Sequence, residues 1–509
     1  MNIKDLVGPL LLAVGLMLLG RSAVQYFSGG SRDAGGFVAP LSKEEQEPLR
    51  LEVDFIDNEK EVEEKLTQVT TDYGIYTFSN HGGCLKTLDF MRDQDGKKQM
   101  FNTIGSRSHV ERETRAFLIA LDQNTPYYYT VKDNVSEDGK HRVTYQVTTD
   151  TAHIEKTFVI DKRIHKMDVV LKATPQSGQK VRPRLIFPSP YLQVLGKNDF
   201  VNAFVIDRTG VFSKRLQAKV DVRSGYFSPQ VFGTENKYFI HSLVEDCNQF
   251  ARRAYYKVVD QQTSSFLEGQ SVDKETVWKI SFYMGPKTGP AINLVAPKLD
   301  QTLDYGFLSP LTKGALYLLN FFNKYLGNYG WAIILVTLLF KLLLLPFTFS
   351  GHKKMQKMQE FSQKMQYIKQ KYKDNPQMAE QAQQELIRTH GMPGIGGCLP
   401  VLLQMPMFWI LNAALNNSIE LYRSPFILWI KDLSLSDPYY VLPAISALSV
   451  FLGMISSGKK INPKQTFGFF ALALFIFGIT SSMSAGLALF FVTNGMLHFG
   501  QTKLQKVFE

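Results

Sequence analysis

The chain has 509 residues, 45% of them hydrophobic and 20% charged, with a formal net charge of +11. Its three cysteines are too few for a disulfide scaffold and have no zinc-ligand spacing; Cys84 and Cys247 could pair, although two free thiols are favoured. No Walker loop, HExxH, GxSxG or EF-hand pattern occurs, so nothing in the sequence argues for an enzyme, a metal or a cofactor.

The first element is an apolar run over residues 6–20, which continues weakly to residue 27. Its length suits either the core of a signal peptide or a short membrane anchor. Because Arg21 lies where a cleavage region should be small and neutral, an uncleaved N-terminal transmembrane anchor over residues 1–27 is favoured. Residues 28–51 are rich in glycine and then acidic, which predicts a disordered linker.

Residues 52–305 carry recurring strand patterns, which predict an all-β extracytoplasmic domain, a large antiparallel β-sandwich. Eight segments show the pattern: GIYTFSN, AFLIALD, YYYTVKD, HRVTYQVTT, HIEKTFVID, HKMDVVLKA, KYFIHSLV and TVWKISFYMG. In HRVTYQVTT, Val143, Tyr145 and Val147 alternate with polar residues, as in a half-buried strand. A sandwich can bind sugars or peptides, but aromatic residues such as Tyr127, Tyr128 and Tyr129 more often serve core and cross-strand packing, and no catalytic set is found here.

Residues 306–330 predict an amphipathic helix that lies in the outer membrane interface. Apolar residues recur there near helical spacing, while Lys313 and Lys324 lie off the apolar stripe. A packing element between the domain and the membrane is a second interpretation, and the two are compatible.

Residues 331–509 predict a membrane core with five further transmembrane helices. The apolar runs cover residues 331–349, 398–415, 439–456, 467–480 and 483–499. The last two runs are short and are joined by SSMSAG, which indicates a tight hairpin. Together with the N-terminal anchor, the predicted fold is an α-helical bundle of six transmembrane helices plus the β-sandwich domain.

The charges of the loops predict the orientation, because lysine and arginine collect on the cytoplasmic side of a membrane. Residues 351–397 hold seven lysines and Arg388 against four acidic residues, and residues 457–466 hold three lysines and no acidic residue. Residues 416–438 hold two basic residues against three acidic ones. This alternation predicts that both termini are cytoplasmic and that residues 28–305 lie outside.

The cytoplasmic loop, residues 351–396, predicts a helical hairpin. Apolar residues step by three or four along one stripe that includes Met355, Met358, Phe361 and Met365. Asn375 and Pro376 then indicate a cap and the first residue of a second helix. The stripe can be the seam of the hairpin, and its methionines also suit an adaptable surface for a client or the ribosome.

One charged residue, Lys341, interrupts the second apolar run. At about 1.5 Å per residue it lies roughly 12–15 Å from either end of the run, and burying its charge costs on the order of 3 kcal/mol. It should therefore face protein or a water-filled cavity. The polar residues available to it in the spans are Thr337, Gln404, Ser484 and Asn494. None of the six runs contains an acidic residue, which leaves water or a transient ligand as its partner. The alternative is a structural lysine paired inside the bundle.

Four segments resemble the YidC family of bacterial membrane protein insertases and their mitochondrial and chloroplast relatives: YGWAIILVTLLFKLLLLPFT, GGCLPVLLQMPMFWILNAAL, SPFILWIKDLSLSDPYYVLP and FYMGPK. The resemblance covers the chain end to end in its Gram-negative form. It implies a hydrophilic groove, open to the cytoplasm and to lipid and closed outside. The groove positions that it implies are Lys341, Thr337, Gln404, Phe491 and Asn494. Lys341 stands where the family usually has arginine, and Phe491 belongs to a pair that replaces a tyrosine and a second aromatic residue.

The resemblance also implies the function. A member of this family inserts nascent hydrophobic segments into the inner membrane and acts as a chaperone, alone or with the Sec translocon. It contacts the ribosome and the lipid bilayer, acts as a monomer, and needs no cofactor, nucleotide or specific nucleic-acid sequence. A transporter or channel that holds an anionic solute at Lys341 is one alternative, disfavoured because no internal repeat is found. A sugar-binding sensor anchored by its spans is the other.

Overall fold

The computed structural model describes residues 48–508 apart from short gaps. The gaps are residues 57–61, 95–96, 106–113, 122–123, 192–200, 221–224, 260–261, 304, 306–307, 373–374, 391–398, 417 and 458–462. The predicted anchor and nearly all of the predicted linker lie outside the described residues. The described chain forms two compact units, which divide near residue 304.

The first unit is built almost entirely of strands. In chain order they are β1 Asp54–Ile56, β2 Leu66–Thr70, β3 Gly74–Ser79, β4 Cys84–Gln94, β5 Lys97–Asn102, β6 Leu118–Leu121, β7 Asn124–Pro126, β8 Thr130–Glu137, β9 Lys140–Thr148, β10 Ala152–Asp161, β11 Lys166–Pro175, β12 Pro183–Pro188, β13 Asn202–Ile206, β14 Phe212–Leu216, β15 Tyr226–Phe227, β16 Val231–Glu235, β17 Phe239–Asp246, β18 Arg253–Val259, β19 Gln262–Glu268 and β20 Thr276–Pro286. One short helix, α1 Gly289–Val295, follows them.

These strands form three sheets. Their orders are β14-β13-β16-β17-β20-β11-β10-β9-β8, β1-β7-β6-β12-β19-β18-β15 and β2-β3-β4-β5. Neighbouring strands pair antiparallel, except β1 with β7, which pair parallel. The two larger sheets share one core, in which the rings of Phe187 on β12 and Phe282 on β20 lie 5.3 Å apart. The structure therefore agrees with the predicted large antiparallel β-sandwich, apart from the parallel pair of β1 and β7 and the additional four-stranded sheet.

All eight predicted strand segments contain strands. Strand β10 shows why they were detectable, because its residues alternate strictly between buried and half-buried. Strand β12 was missed because each of its residues is buried, so it lacks the alternation of a half-buried strand. Tyr127 and Tyr129 are core residues, as expected, whereas Tyr128 is only half-buried and its ring lies 5.2 Å from that of Tyr127. Cys84 is buried, Cys247 is exposed and both are free, so the alternative of a disulfide between them is wrong.

The second unit is helical. Its helices are α2 Ser309–Leu326, α3 Tyr329–Lys371, α4 Pro376–His390, α5 Leu399–Asn416, α6 Val441–Ser457, α7 Pro463–Ser481 and α8 Ala485–Phe508. Helices α3, α5, α6, α7 and α8 contain all or nearly all of the five apolar runs that follow the β domain. Among the residues that the structure describes, no helix has the combined length and apolarity that a membrane crossing requires.

Helix α3 differs from the sequence-based expectation. The span over residues 331–349 and the hairpin over residues 351–396 were predicted as separate elements, but one helix of 43 residues joins the second apolar run to the first arm of the hairpin. At about 1.5 Å per residue it is roughly 64 Å long. A glycine inside a helix costs only about 1 kcal/mol, which is too little to end a helix of this length. Helix α4 begins at Pro376, and the side-chain oxygen of Asn375 accepts a hydrogen bond from the backbone N–H of Met378, as the predicted cap requires.

Candidate functional site

Lys341 on α3 contacts Asn494 on α8. Its Nζ donates a hydrogen bond to Oδ1 of Asn494 at 3.1 Å, and the lysine is only 7% exposed. The expectation that only water or a transient ligand would meet this lysine is therefore corrected, because a neutral amide does so. An amide oxygen orients an ammonium group without cancelling its charge, and the predicted spans contain no aspartate or glutamate. The lysine therefore lies in the interior of the helical unit beside a neutral partner.

Helices α3 and α8 run parallel and keep a constant register. A Cβ on Gly486 would lie 3.3 Å from Cδ1 of Ile333, and eight residues later Asn494 meets Lys341. In both pairs the residue number on α8 exceeds the residue number on α3 by 153: Gly486 lies beside Ile333, and Asn494 lies beside Lys341. Each residue of α8 can therefore be assigned a level on α3.

Helix α6 runs parallel to α8 on another side. A Cβ on Gly495 would lie 2.9 Å from Cβ of Ser449, and a Cβ on Gly453 would lie 3.5 Å from Cδ2 of His498. The small residues at these positions allow the two backbones to approach closely. The hydroxyl of Ser449 donates to the carbonyl of Ile445 one turn earlier, so its polar group is satisfied within α6.

The polarity of the interior changes at the level of Lys341. Toward the N-terminal ends of α3 and α8, the residues around the site are apolar and belong to one buried core, which includes Ile333, Val336, Leu487 and Phe490. Toward the C-terminal ends, α8 presents Asn494 and then His498 and Gln501. The lysine thus lies at the boundary between an apolar core and a polar face.

Thr337 lies one turn before Lys341 but is fully buried. Its hydroxyl donates to the carbonyl oxygen of Ile333 at 2.7 Å, so its hydrogen is used within α3. Thr337 therefore belongs to the apolar side of the site, where it packs against the core. This differs from a residue that presents a free hydroxyl to a groove.

Helix α5 contributes an aromatic contact to the site. The rings of Phe408 and Phe491 lie 5.6 Å apart, and Phe491 also contacts Phe490 at 5.3 Å. Gln404 is half-buried and precedes Phe408 by one turn of α5. The structure thus brings Phe491 and Asn494 of α8 next to α5 and α3, respectively, and places Gln404 on the helix that meets Phe491.

The hairpin residues lie on the extended part of α3. Phe361 and Met365 are half-buried, and α3 packs against α4. The side chains of Met355 and Met358 lie outside the described residues, although the backbone there is helical. The partial burial of Phe361 and Met365 favours the seam interpretation for these two residues.

Sequence reasoning missed two polar residues of α8, His498 and Gln501. They follow Asn494 by four and seven residues, the spacing of one helical face. That spacing within an otherwise apolar helix was a detectable signal.

The β unit holds a separate cluster of buried charges. Glu235 on β16 is fully buried and lies 3.0 Å from Nζ of Lys287 and 2.5 Å from Nζ of Lys214. Burial alone would raise the pKa of Glu235, but the two lysines outweigh burial and hold the pKa below its usual value. Lys287 belongs to the segment FYMGPK. Among the described residues, no group of histidine, cysteine, aspartate or glutamate side chains could hold a metal ion.

Comparison with known proteins identifies relatives that cover most of the chain. The family described as 60Kd inner membrane protein matches residues 321–507, and the YidC periplasmic domain matches residues 66–318. The membrane protein insertase YidC of Helicobacter pylori is 34% identical over 415 residues, which cover 77% of this chain and 74% of that protein. The membrane protein insertase YidC of Geobacter sulfurreducens is 28% identical over 440 residues, which cover 83% of this chain and 82% of that protein. A crystal structure described as an active YidC insertase with its first transmembrane domain resolved is 19% identical, covers 87% of this chain and 93% of that chain, and has a TM-score of 0.39.

Proposed function

The chain belongs to the YidC family of membrane protein insertases, and we propose that it moves nascent hydrophobic segments into the bacterial inner membrane along a hydrophilic groove that contains Lys341. The observation that carries the proposal is the pairing of this buried lysine with a neutral amide, Asn494. A lysine retained only for packing would be expected to meet a carboxylate. A charge that is held in place but not neutralised can instead attract a charged ligand.

The mechanism follows from the position of this charge. A client brings a polar flank next to its hydrophobic segment, and acidic residues in that flank are attracted to Lys341. The apolar segment then leaves sideways into lipid, along the apolar faces of α5 and α7, the third and fifth predicted spans. Burial of about 20 apolar residues in the bilayer is strongly favourable, so the transfer needs no nucleotide hydrolysis.

The proposed topology has six transmembrane helices with both termini in the cytoplasm and the β unit outside. The basic loops support it, as does the presence of a helix at each of the five later apolar runs. In this topology the C-terminal ends of α3, α6 and α8 point to the cytoplasm. The polar face of α8 then lies on the cytoplasmic side of Lys341, and the apolar core lies on the outer side.

The amphipathic helix α2 supports contact with the lipid interface. Ala315 and Leu319 are buried, while Tyr317, Phe321 and Tyr325 form an exposed series of aromatic rings. Aromatic residues are favoured at the boundary between headgroups and hydrocarbon. We therefore place α2 in the outer interface, with these rings toward the lipid.

The hairpin of α3 and α4 is the proposed meeting point with the ribosome and with the arriving client. Its lysines would be attracted to ribosomal RNA, and its apolar stripe would receive the client. We also propose that the protein cooperates with the Sec translocon and acts as a monomer.

The test uses one client whose flank is neutral, acidic or basic. Insertion is measured in cells depleted of the native protein and rescued with Lys341→Arg, Lys341→Ala or Lys341→Glu, and is normalised to the amount of insertase. We expect Lys341→Arg to work, Lys341→Ala to impair mainly the client with the acidic flank, and Lys341→Glu to impair that client further. Equal defects for the three flanks would mean that Lys341 is part of the scaffold.

A further inference from the structure

Gln501 on α8 is a buried side chain with an unused amide. It is 8% exposed, and neither its Nε2 nor its Oε1 has a hydrogen-bond partner among the described residues. A carboxamide offers two donors and one strong acceptor, and burying it without partners costs free energy. A residue with this cost needs a reason beyond packing.

The position of Gln501 supplies a reason. It follows Asn494 by seven residues, or two turns, and lies on the same face of α8, with His498 between them. The constant offset between α3 and α8 places Gln501 level with residue 348, beyond Lys341 toward the C-terminal ends of both helices. The distance along the axis from Asn494 is about 10 Å. In the proposed topology, a client that enters from the cytoplasm meets Gln501 before it meets Lys341.

We propose that Gln501 binds the polypeptide backbone of the client as it enters the groove; this inference rests on the proposed function. The carboxamide presents a donor and an acceptor side by side, which match the C=O and N–H of a peptide group. Every client carries this backbone, whatever the charge of its flank. Gln501 therefore recognises an extended chain, while Lys341 distinguishes its charge.

A purely structural role makes the opposite prediction about stability. If Gln501 served only the fold, its replacement would lower the stability of the protein. If instead its amide binds the client, Gln501→Leu replaces an unpaired buried polar group with an apolar one of similar size. The protein without a client should then become more stable.

The experiment compares Gln501→Leu with wild type and with Gln270→Leu, in which an exposed glutamine of the β unit is changed in the same way. Purified full-length protein is reconstituted into liposomes, and insertion of the client with neutral, acidic and basic flanks is timed. Thermal unfolding of each protein is measured in detergent. We expect Gln501→Leu to slow insertion about tenfold for all three flanks, with an unchanged or raised Tm, and Gln270→Leu to behave as wild type.

A photocrosslinking residue at position 501 provides the second measurement and should label a stalled client. Normal insertion by Gln501→Leu, a defect restricted to one flank, a lowered Tm or crosslinks to lipid alone would each overturn the proposal. The Lys341 series separates this outcome from a failure of the proposed function. Flank-dependent defects at Lys341 with normal insertion by Gln501→Leu reject only the role of Gln501, whereas equal defects at Lys341 reject the charge mechanism.

Discussion

The ammonium group of Lys341 donates a 3.1 Å hydrogen bond to the amide of Asn494, which is 153 residues away in the chain. The bond crosses between two parallel helices and fixes the direction of the lysine side chain. Because the acceptor is neutral, the electrostatic attraction of the ammonium for an outside group persists. A carboxylate at the same position would have formed an ion pair and removed that attraction.

The first prediction changes the partner of the lysine. Asn494→Asp should pair with Lys341 and reduce insertion of the client with the acidic flank at least fivefold, because the flank must then compete with an internal carboxylate. The neutral flank should be little affected. The exchange variant Lys341→Asn with Asn494→Lys, which returns a lysine and an amide to the same place, should recover preference for the acidic flank. Undiminished insertion of the acidic client by Asn494→Asp would contradict the mechanism.

The second prediction concerns the hairpin, where we expect the apolar stripe to matter more than the charge. Replacing Met358, Phe361 and Met365 with serine should impair insertion strongly, because Phe361 and Met365 are already partly buried in the seam. Neutralising Lys353, Lys354 and Lys357 in a matched triple variant should have a weaker effect. Insertion and ribosome binding are measured for both variants. If the serine variant inserts clients normally while the lysine variant is inactive, the charge of the hairpin matters more than its apolar stripe.

The third prediction concerns the buried ion pair of the β unit. Lys287→Met removes one of the two lysines that hold the Glu235 carboxylate, so the unfolding free energy of the β unit should fall by about 3–5 kcal/mol. Denaturant unfolding of the full chain, followed through the β-sheet signal, measures the loss. Adding Glu235→Gln removes the uncompensated charge and should restore part of the stability. If the double variant is no more stable than Lys287→Met, the uncompensated charge of Glu235 is not the cause of the lost stability.

The fourth prediction is a pH dependence that originates at Lys156 on β10. Burial lowers the pKa of this lysine to about 7, partly opposed by the nearby Cys84 thiol. Its Nζ donates to the carbonyl oxygens of Gly82 at 3.0 Å and Phe117 at 2.6 Å, the two bonds that a neutral amine can donate. Between pH 7 and the ordinary lysine pKa of about 10.4, the unfolded chain binds a proton that the folded chain releases.

The stability of the β unit should therefore rise with pH across that window, by up to about 1.4 kcal/mol per unit. Lys156→Met should flatten the curve. The measurement is the denaturant midpoint from pH 7 to pH 10, in proteins that also carry Cys84→Ala so that the thiol does not titrate. An equal slope with and without Lys156 would disprove its contribution.

The sequence predicts local structure well where a physical period is visible. Strand β10 alternates along its length and was found, whereas the fully buried β12 was not. Two segments of the resemblance have structural roles that local patterns do not disclose. Lys287 of FYMGPK neutralises Glu235, and Asp437 of the DPYY stretch accepts hydrogen bonds from Trp429 Nε1 and from the backbone N–H of Leu442 at the start of α6.

The candidate site was predictable only in part. The composition of the spans identified Lys341 and excluded an acidic partner there. Its bond to Asn494 depends on the register between α3 and α8, which one sequence does not contain. The internal hydrogen bond of Thr337 is likewise a choice of rotamer, and the sequence alone could not distinguish it from a hydroxyl exposed in a groove.

The continuity of α3 has a mechanical consequence. From Lys341 to Lys371, the last residue of α3, the helix extends about 45 Å. One continuous helix therefore connects the lysine to the hairpin. Pro346 lies within this part of the helix, and because proline lacks an N–H, the carbonyl one turn earlier loses its usual bond and a helix bends more readily at such a joint. A bend of about 5° at Pro346 displaces Lys371, at the end of the helix, by roughly 3 Å. A partner that binds the hairpin and moves it would therefore bend α3 at Pro346, five residues from Lys341.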